Sequence, residues 1–424
     1  MKITFLFALI ATLVSGQQAD TKQRVKAVHD LAKQGQDSVP QIANYLGDVD
    51  LGVRIEATKA LVEIGGPKTL EPLVRAARDN DPEIQVRATD GLVNIYLPGY
   101  SKTGMSGTLQ RAGNSIRGRF TDTNDKVIDA FVEVRPEAIA VLGKLARGGA
   151  SMEARANAAR AVGVLRGRAA IPELIEALHS KDDTVMYESL VALEKIRDPS
   201  AAPRIAFLLR DLDDKVQIAA LETTGILRNK EAAPDVRDAM AHARNIKVRR
   251  AAFTALSMIG DAGDHAAFLR DLNDKDDAIR AAAAEGLARV KNPADRPVVE
   301  KAFGEEKKMN PRLSDAFALV SLGAIETGEF SPLRYLVNSL NQRVYRGFAV
   351  AYLTELARDA KVRQAIYPML TGATKDEKIQ MSTVLARSGE RDSIPFLETL
   401  SIDPDADVAQ EGIRSLRTLR ARLQ

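Results

Sequence analysis

The chain of 424 residues has no cysteine, no tryptophan and only four histidines, and aromatic residues make up 5% of it. The lack of cysteine excludes disulfides, thiolate metal ligands and a cysteine nucleophile, so stability must come from packing. Four histidines leave few imidazole groups for a metal site or for acid–base catalysis. The sequence is also poor in the β-branched and aromatic runs that strands require, which disfavours a β-sheet fold.

An excess of charge of one sign is also missing, since 60 Lys and Arg residues face 57 Asp and Glu residues. Nucleic-acid-binding proteins carry a large basic excess, so this balance argues against a nucleic-acid partner. Apolar residues make up 45% of the chain, which is enough for a core. Together with abundant Ala, Leu, Arg and Glu, this composition predicts a folded, helical protein.

One apolar run opens the chain, in the sequence MKITFLFALIATLVSGQQAD. A single lysine precedes the run at 3–14, and the small residues Ser15 and Gly16 follow it. This pattern is typical of a secretory signal peptide, here 1–16, and predicts a periplasmic or extracellular protein. A retained membrane anchor is the alternative, although the run is short for a bilayer span. We expect no transmembrane segment in the mature chain.

The rest of the chain is dominated by a repeat marked by prolines 31 residues apart, at Pro172, Pro203 and Pro234. After each proline, apolar residues recur at steps of five, three and three, which places them on one helical face. The first copy carries Val185, Leu190, Leu193 and Ile196. The same spacing follows Pro40 and Pro395, so we count about ten copies along the chain.

Each copy has the features of a helical hairpin. The proline falls at the start of the first helix, where no backbone donor is needed. A polar turn such as SKDD or RDLDD follows, and an aspartate then caps the second helix. From Asp214 to Gln217 the spacing is that of a capping box. One hairpin cannot bury its apolar face alone, so neighbouring hairpins are expected to stack.

The turn aspartate, the Val-Arg or Ile-Arg pair and the small residues before a leucine resemble the HEAT repeat. The best matches are VRRAAFTALSMIGD from Val248, IRAAAAEGLARVKN from Ile279 and VRIEATKALVEIGG from Val53. The short units are similar to the lyase-like HEAT repeats of bacteria. The resemblance implies an all-α fold over 17–424, a right-handed α-solenoid (superhelix) of about ten HEAT-type hairpins. It also implies an Asp–Arg ladder between repeats, for which the candidates are Arg54, Arg87, Arg249, Arg280, Asp183 and Asp214.

Two groups of enzymes contain HEAT-type repeats, and a catalytic role here would require their functional residues. Deoxyhypusine hydroxylase holds two irons with His-Glu pairs, but none of His29, His179, His242 and His265 precedes a glutamate here. Phycobilin lyases attach a chromophore. This chain has few aromatic side chains with which to hold one. The chain also lacks the GxSxG, HExxH and P-loop motifs. We therefore predict no catalytic residues, no metal and no cofactor.

Two segments are candidates for binding. The repeat is interrupted at 98–133, and the interruption carries many glycines and the cations Lys102, Arg111, Arg117 and Arg119. Insertions in solenoids often fall on the binding face, although a passive insertion is equally compatible with the sequence. The second segment, NQRVYRGFAVAYL, carries Arg343, Tyr345 and Arg346. Such aromatic and basic mixtures are enriched at interfaces, the alternative being an ordinary helix surface.

The sequence thus predicts a non-catalytic, exported scaffold or adaptor that binds a protein or peptide through the solenoid surface. The alternative is a HEAT-type metal-dependent oxidoreductase, which the absence of His-Glu pairs disfavours. A third hypothesis is a receptor for an anionic polymer, whose binding would weaken steeply with salt.

Overall fold

The computed structural model describes residues 20–100 and 127–424. In these ranges the chain is α-helical with short 3-10 segments and contains no β-strand. Within the same ranges, no helix combines the length and the apolar character needed to cross a bilayer. The predicted signal peptide at 1–16 lies outside the described residues. So do four of the predicted binding residues, Lys102, Arg111, Arg117 and Arg119.

The described residues fall into two compact units. The first unit takes in the described chain up to Ile128 together with Val134–Ala201. Its helices are α1 (20–32), α2 (Val39–Asn44), α3 (Leu51–Ile64), α4 (Leu70–Ala76), α5 (Pro82–Tyr96), α6 (Pro136–Gly148), α7 (Met152–Val164), α8 (Ile171–Ala177) and α9 (Asp183–Ile196).

The second unit takes in Asp129–Glu133 and Ala202–Gln424. Its helices are α10 (Asp214–Leu227), α11 (Ala233–Ala241), α12 (Ile246–Ile259), α13 (His265–Asp271), α14 (Asp277–Val290), α15 (Arg296–Glu305), α16 (Met309–Ser321), α17 (Pro332–Asn338), α18 (Arg346–Leu356), α19 (Ala360–Ile366), α20 (Lys375–Ser388), α21 (Ile394–Leu400) and α22 (Ala406–Leu423).

The repeat is built from stacked helical hairpins, as predicted, and in most of them a short first helix precedes a longer second helix. In the second unit, α10, α12, α14 and α16 pack side by side in this order. Glycine allows the close approach, because a Cβ added at Gly225 would lie 2.8 Å from the Cα of Ala255. In the first unit a Cβ at Gly163 would lie 2.7 Å from the Cα of Ala192. Both distances are shorter than a side chain tolerates.

The copy that begins near Pro203 departs from the prediction. Its first helix is replaced by two 3-10 segments, Pro199–Arg204 and Ala206–Arg210. Two prolines within one short segment each remove a backbone donor and crowd the preceding turn, which prevents a regular α-helix. The second helix of this copy, α10, has the normal fourteen residues.

Several of the turns between the first and second helices share one construction. The first aspartate of an Asp-x-Asp sequence accepts a hydrogen bond from the backbone N–H of the second, at 2.8 Å in both Asp211–Asp213 and Asp274–Asp276. The second aspartate then caps the helix, which confirms the predicted aspartate cap of the second helix. The capping box predicted from Asp214 is wrong, since Asp213 is the N-cap and accepts from the N–H of Val216 at 3.0 Å.

Candidate binding site

The predicted ladder arginines have different partners. Arg54 donates from Nε to Asp79 of the next hairpin at 2.8 Å, and Arg280 donates from Nε to Glu306 at 2.7 Å. Arg87 pairs instead with Glu83, one turn back in its own helix. Arg249 is solvent-exposed and forms no ion pair within the described ranges.

The neighbouring Arg250, which the sequence reasoning left outside the ladder, donates from Nε to Asp276 at 2.8 Å. The HEAT-type spacing therefore locates the turn whose acid is paired with an arginine. It does not always locate the arginine that forms the pair.

The ladder acids were only partly identified from the sequence. Asp214 accepts from Arg244 at 3.0 Å, and the ladder role of Asp183, the first residue of α9 after the N-cap Asp182, stays a prediction. Other ladder acids are the first aspartate of an Asp-x-Asp turn, as in the pairs Arg24–Asp48, Arg54–Asp79 and Lys378–Asp403. The signal that could have shown this is the Asp-x-Asp spacing itself. These contacts join neighbouring hairpins.

The predicted aromatic and basic segment divides into a buried part and an exposed part. Arg346 donates to the carbonyl of Leu340 at 2.7 Å and to Asp376 at 2.6 Å, so it holds the start of α18 in place. Tyr345 is half-buried just before this helix.

Arg343 is exposed, next to two apolar side chains that the sequence analysis did not single out. Val344 is 77% exposed and Phe348 is 47% exposed. We call Arg343, Val344 and Phe348 the apolar-basic patch.

A cleft of about 280 Å³ lies in the second unit, where the C-terminal ends of α10, α12 and α14 approach α16 and α18. Its apolar wall includes Met258, Phe317 and Leu356. Its basic lining residues are Arg228, Lys230, Arg289, Lys291 and Arg358. Two acidic residues, Glu355 and Asp359, complete the charged lining. Basic groups thus outnumber acidic groups around the cleft.

A chain of polar contacts leads from the exposed Arg228 at the cleft into the core. Glu355 accepts hydrogen bonds from Arg289 Nη2 at 3.1 Å and from Arg228 Nη2 at 2.7 Å. Arg289 also donates from Nη1 to Glu285 at 2.9 Å. The hydroxyl of Tyr352 donates to Glu285 at 2.7 Å. We call these five residues the polar cluster.

The polar cluster joins two second helices that are separated by a third. Glu285 and Arg289 belong to α14, Tyr352 and Glu355 belong to α18, and α16 packs against both of these helices. The segment 313–320 of α16 is buried throughout. Inside it, Phe317 stacks on Tyr352 with ring centroids 4.7 Å apart. The contacts between α14 and α18 therefore cover the face of α16 that lies between them.

Burial and charge determine the protonation of the polar cluster. Burial acts to raise the pKa of Glu355, but the charges of Arg289 and Arg228 and their hydrogen bonds outweigh it and bring the pKa to about 2. The pKa of the Tyr352 hydroxyl is raised by its burial and by the nearby charge of Glu285. At neutral pH, Glu355 is thus an anion shared by two guanidinium groups, and Tyr352 is a neutral hydrogen-bond donor.

A second buried carboxyl group lies on α16. Asp315 is 3% exposed. Burial and the charge of Glu306 raise its pKa to about 7, against the opposing effect of Arg280 and Arg312. Arg312 itself lies over the ring of Phe303, with its Cζ 5.0 Å from the centroid. This carboxyl group does not form part of the polar cluster.

The histidines lie apart from one another. His29 is 3.0 Å from Glu56, and His265 is 2.8 Å from Asp295, so each forms a pair with one carboxylate. In the residues that the structure describes, no group of three or more histidine and carboxylate side chains is arranged to hold a metal ion. The chemistry that the described site offers is charge pairing, hydrogen bonding and apolar contact.

The stacked helical hairpins with their inter-repeat ion pairs define a helical-repeat protein. The model of the HEAT repeats family matches residues 8–92, 139–206 and 202–288, which is more than half of the chain. The protein therefore belongs to the HEAT-repeat family, as the sequence motifs predicted. The all-α, HEAT-type fold class is likewise confirmed.

Solved structures with some likeness to the chain come from several kinds of protein. The CpcE–CpcF complex of phycocyanin lyase from a Nostoc species is 19% identical over 63% of this chain and 92% of its own, with a TM-score of 0.37. Importin beta is 14% identical over 91% of this chain and 57% of its own, with a TM-score of 0.36. Human deoxyhypusine hydroxylase is 14% identical over 67% and 96%, with a TM-score of 0.28. No curated protein matches the sequence. We draw no functional conclusion from likenesses this weak.

Proposed function

We propose that the protein is a non-catalytic scaffold that binds a protein or peptide partner outside the cytoplasm. The observation that supports this most is the apolar-basic patch, where Val344 and Phe348 are exposed beside Arg343. Large apolar side chains gain free energy when a partner removes them from water. Aromatic residues and arginine are also the residue types enriched in the cores of interfaces. The family scaffold itself supplies extended surfaces for such partners.

The patch is tested by photocrosslinking with the full chain. A photoreactive phenylalanine analogue replaces Val344, and the control protein carries it at Ile402, which is 82% exposed in a turn that also carries Asp403 and Asp405. We expect an adduct of one defined mass in the cell-envelope fraction from position 344 and none from position 402. Phe348→Ser should reduce that adduct at least several-fold. Equal adduct patterns from both positions would contradict the proposal.

The proposed location rests on the N-terminal pattern of one lysine, an apolar run and small residues. Expression of the full chain followed by cell fractionation and N-terminal sequencing tests it directly. We expect a processed protein that begins at Gln17 in the periplasmic or extracellular fraction. An unprocessed chain that starts at Met1 and stays with the cytoplasm would contradict export.

A further inference from the structure

We propose that the cleft in the second unit binds a small organic anion, with an apolar body and a carboxylate or phosphate head. This site goes beyond the proposed partner binding and does not depend on it, because none of the three patch residues lines the cleft. The volume of about 280 Å³ is that of roughly nine water molecules. It suits a small ligand, at the lower limit of the usual size of ligand pockets.

The charge of the lining favours an anion. Within the polar cluster, Glu355 and Glu285 together balance the charges of Arg228 and Arg289. The other acid, Asp359, is committed as the N-cap of α19, where it accepts from the N–H of Lys361 at 2.8 Å. The cleft therefore keeps basic groups that its own acids do not neutralise.

Three cations remain at the edge of the cleft: Lys230, Lys291 and Arg358. All three are exposed, and none forms an ion pair with any residue that the structure describes. Lys291 and Arg358 lie at or just beyond the ends of α14 and α18, and Lys230 is the first residue of the 3-10 segment Lys230–Ala232 that follows α10. A cation at one helix C-terminus stabilises that helix. Lys230, Lys291 and Arg358 line the same cleft, so a bound anion would be attracted by all three charges.

The wall of the cleft favours a ligand with an apolar body. Met258 is half-buried at the end of α12, and Leu356 and Val362 line the opposite helices. Phe317 forms the floor, under the guanidinium group of Arg289 at 5.2 Å from Cζ to the ring centroid. A fully hydrated inorganic ion would gain little free energy from such a wall. An alkyl or aryl group would bury apolar surface against it, which is favourable.

Calorimetric titration of the full chain with three probes of equal chain length tests the ligand class. The probes are octanoate, octyl phosphate and the uncharged octanol. We expect at least one anion to bind ten times more tightly than octanol, and its affinity to fall as salt is raised. The tighter anion then identifies the head group as a carboxylate or a phosphate. Equal affinity for octanol, or no heat from either anion at millimolar concentration, would overturn the proposal.

Variants test the position of the site. Lys230→Ala combined with Lys291→Ala should weaken anion binding at least tenfold, because two of the three unpaired cations are lost. Met258→Phe should weaken binding of the anions and of octanol alike, because it fills part of the cleft. Lys301→Ala is the control, since Lys301 is an exposed lysine of the same unit outside the cleft. Unchanged binding in both cleft variants, with normal helical content, would place the ligand elsewhere and overturn the proposal.

Discussion

The second unit contains two kinds of ion pair that differ in repetition, and one pair of each kind shows a difference in exposure. In the ladder, Arg244 and Asp214 are 3.0 Å apart and keep 40% and 47% of their side chains exposed. In the polar cluster, Arg289 and Glu355 are 3.1 Å apart and keep only 10% and 21% exposed. The ladder has counterparts in other hairpins, as in Arg54–Asp79 and Lys378–Asp403. The cluster instead joins helices that are two hairpins apart.

The difference shows where the chain departs from its own repeat. A contact between successive hairpins follows from the repeat spacing, and loss of one copy leaves the others in place. The polar cluster depends on Tyr352 and Glu355 of α18, and Tyr352 takes a position where most other second helices carry a small residue. It therefore fixes one particular arrangement of α14, α16 and α18, and it forms one wall of the cleft.

The largest effect is expected from Arg289→Met, which leaves Glu285 and Glu355 without their shared cation. Removal of one partner from a buried ion pair typically costs about 3–5 kcal/mol. Urea denaturation should show a loss of this order in the free energy of unfolding. The matched ladder variant, Arg244→Met, should lose no more than about 1 kcal/mol, as is usual for exposed pairs. Similar losses in both variants would remove the distinction between ladder and cluster.

Asp315→Asn should change the pH dependence of stability. The raised folded-state pKa of about 7 means that, as pH rises from about 3.8, the unfolded chain releases this proton before the folded chain does. Stability therefore falls with rising pH across this window, and the uncharged asparagine removes the loss. We expect the variant to exceed the wild type by up to about 4 kcal/mol at pH 8 and to match it near pH 4. A pH-independent difference in urea titrations would contradict the assignment.

Tyr352→Phe removes the hydroxyl that contacts Glu285 and lies 2.8 Å from the Ser314 hydroxyl. The buried partners then lack a hydrogen bond, at a cost of about 1–3 kcal/mol. Tyr345→Phe is the control, because Tyr345 is half-buried outside the polar cluster. The two variants are compared by thermal unfolding at one pH. A control variant as unstable as Tyr352→Phe would point to a general effect of tyrosine removal.

The smallest effect is expected at a turn. Asp213→Ala removes the acceptor for the N–H groups of Lys215 and Val216 and should cost about 1 kcal/mol. Asp213→Asn keeps an oxygen acceptor and should cost much less. Urea denaturation of both variants distinguishes the capping bond from the charge. A larger loss for asparagine than for alanine would contradict the capping role.

The repeated features of the fold could be predicted from the sequence, because each copy supports the interpretation of the others. The helical hairpins, the stacking and the aspartate caps followed from spacing, with an error of one residue at Asp213. The 3-10 segments near Pro203 were not predicted. The prediction followed the repeat spacing and did not include the effect of two nearby prolines. The exposure of Val344 and Phe348 was not predicted, because both residues fit the apolar spacing of a buried helix face.

The polar cluster could not be predicted, for a physical reason. It joins Glu285 to Tyr352 and Arg228 to Glu355 across 67 and 127 residues. No local spacing relates these positions, and each residue alone is an ordinary component of a helix. Their meeting depends on how α14, α16 and α18 pack, which is a property of the folded unit.

The central claim is that the polar cluster, and not the repeated ladder, determines the local packing around the cleft. Double-mutant cycles on Arg289 with Glu355, and on Arg244 with Asp214, test it most directly. Urea denaturation of the wild type, single variants and double variants gives the coupling free energy of each pair. We predict a coupling above about 1.5 kcal/mol for the cluster pair and below about 0.5 kcal/mol for the ladder pair. Equal coupling energies, or a larger one in the ladder, would contradict the account.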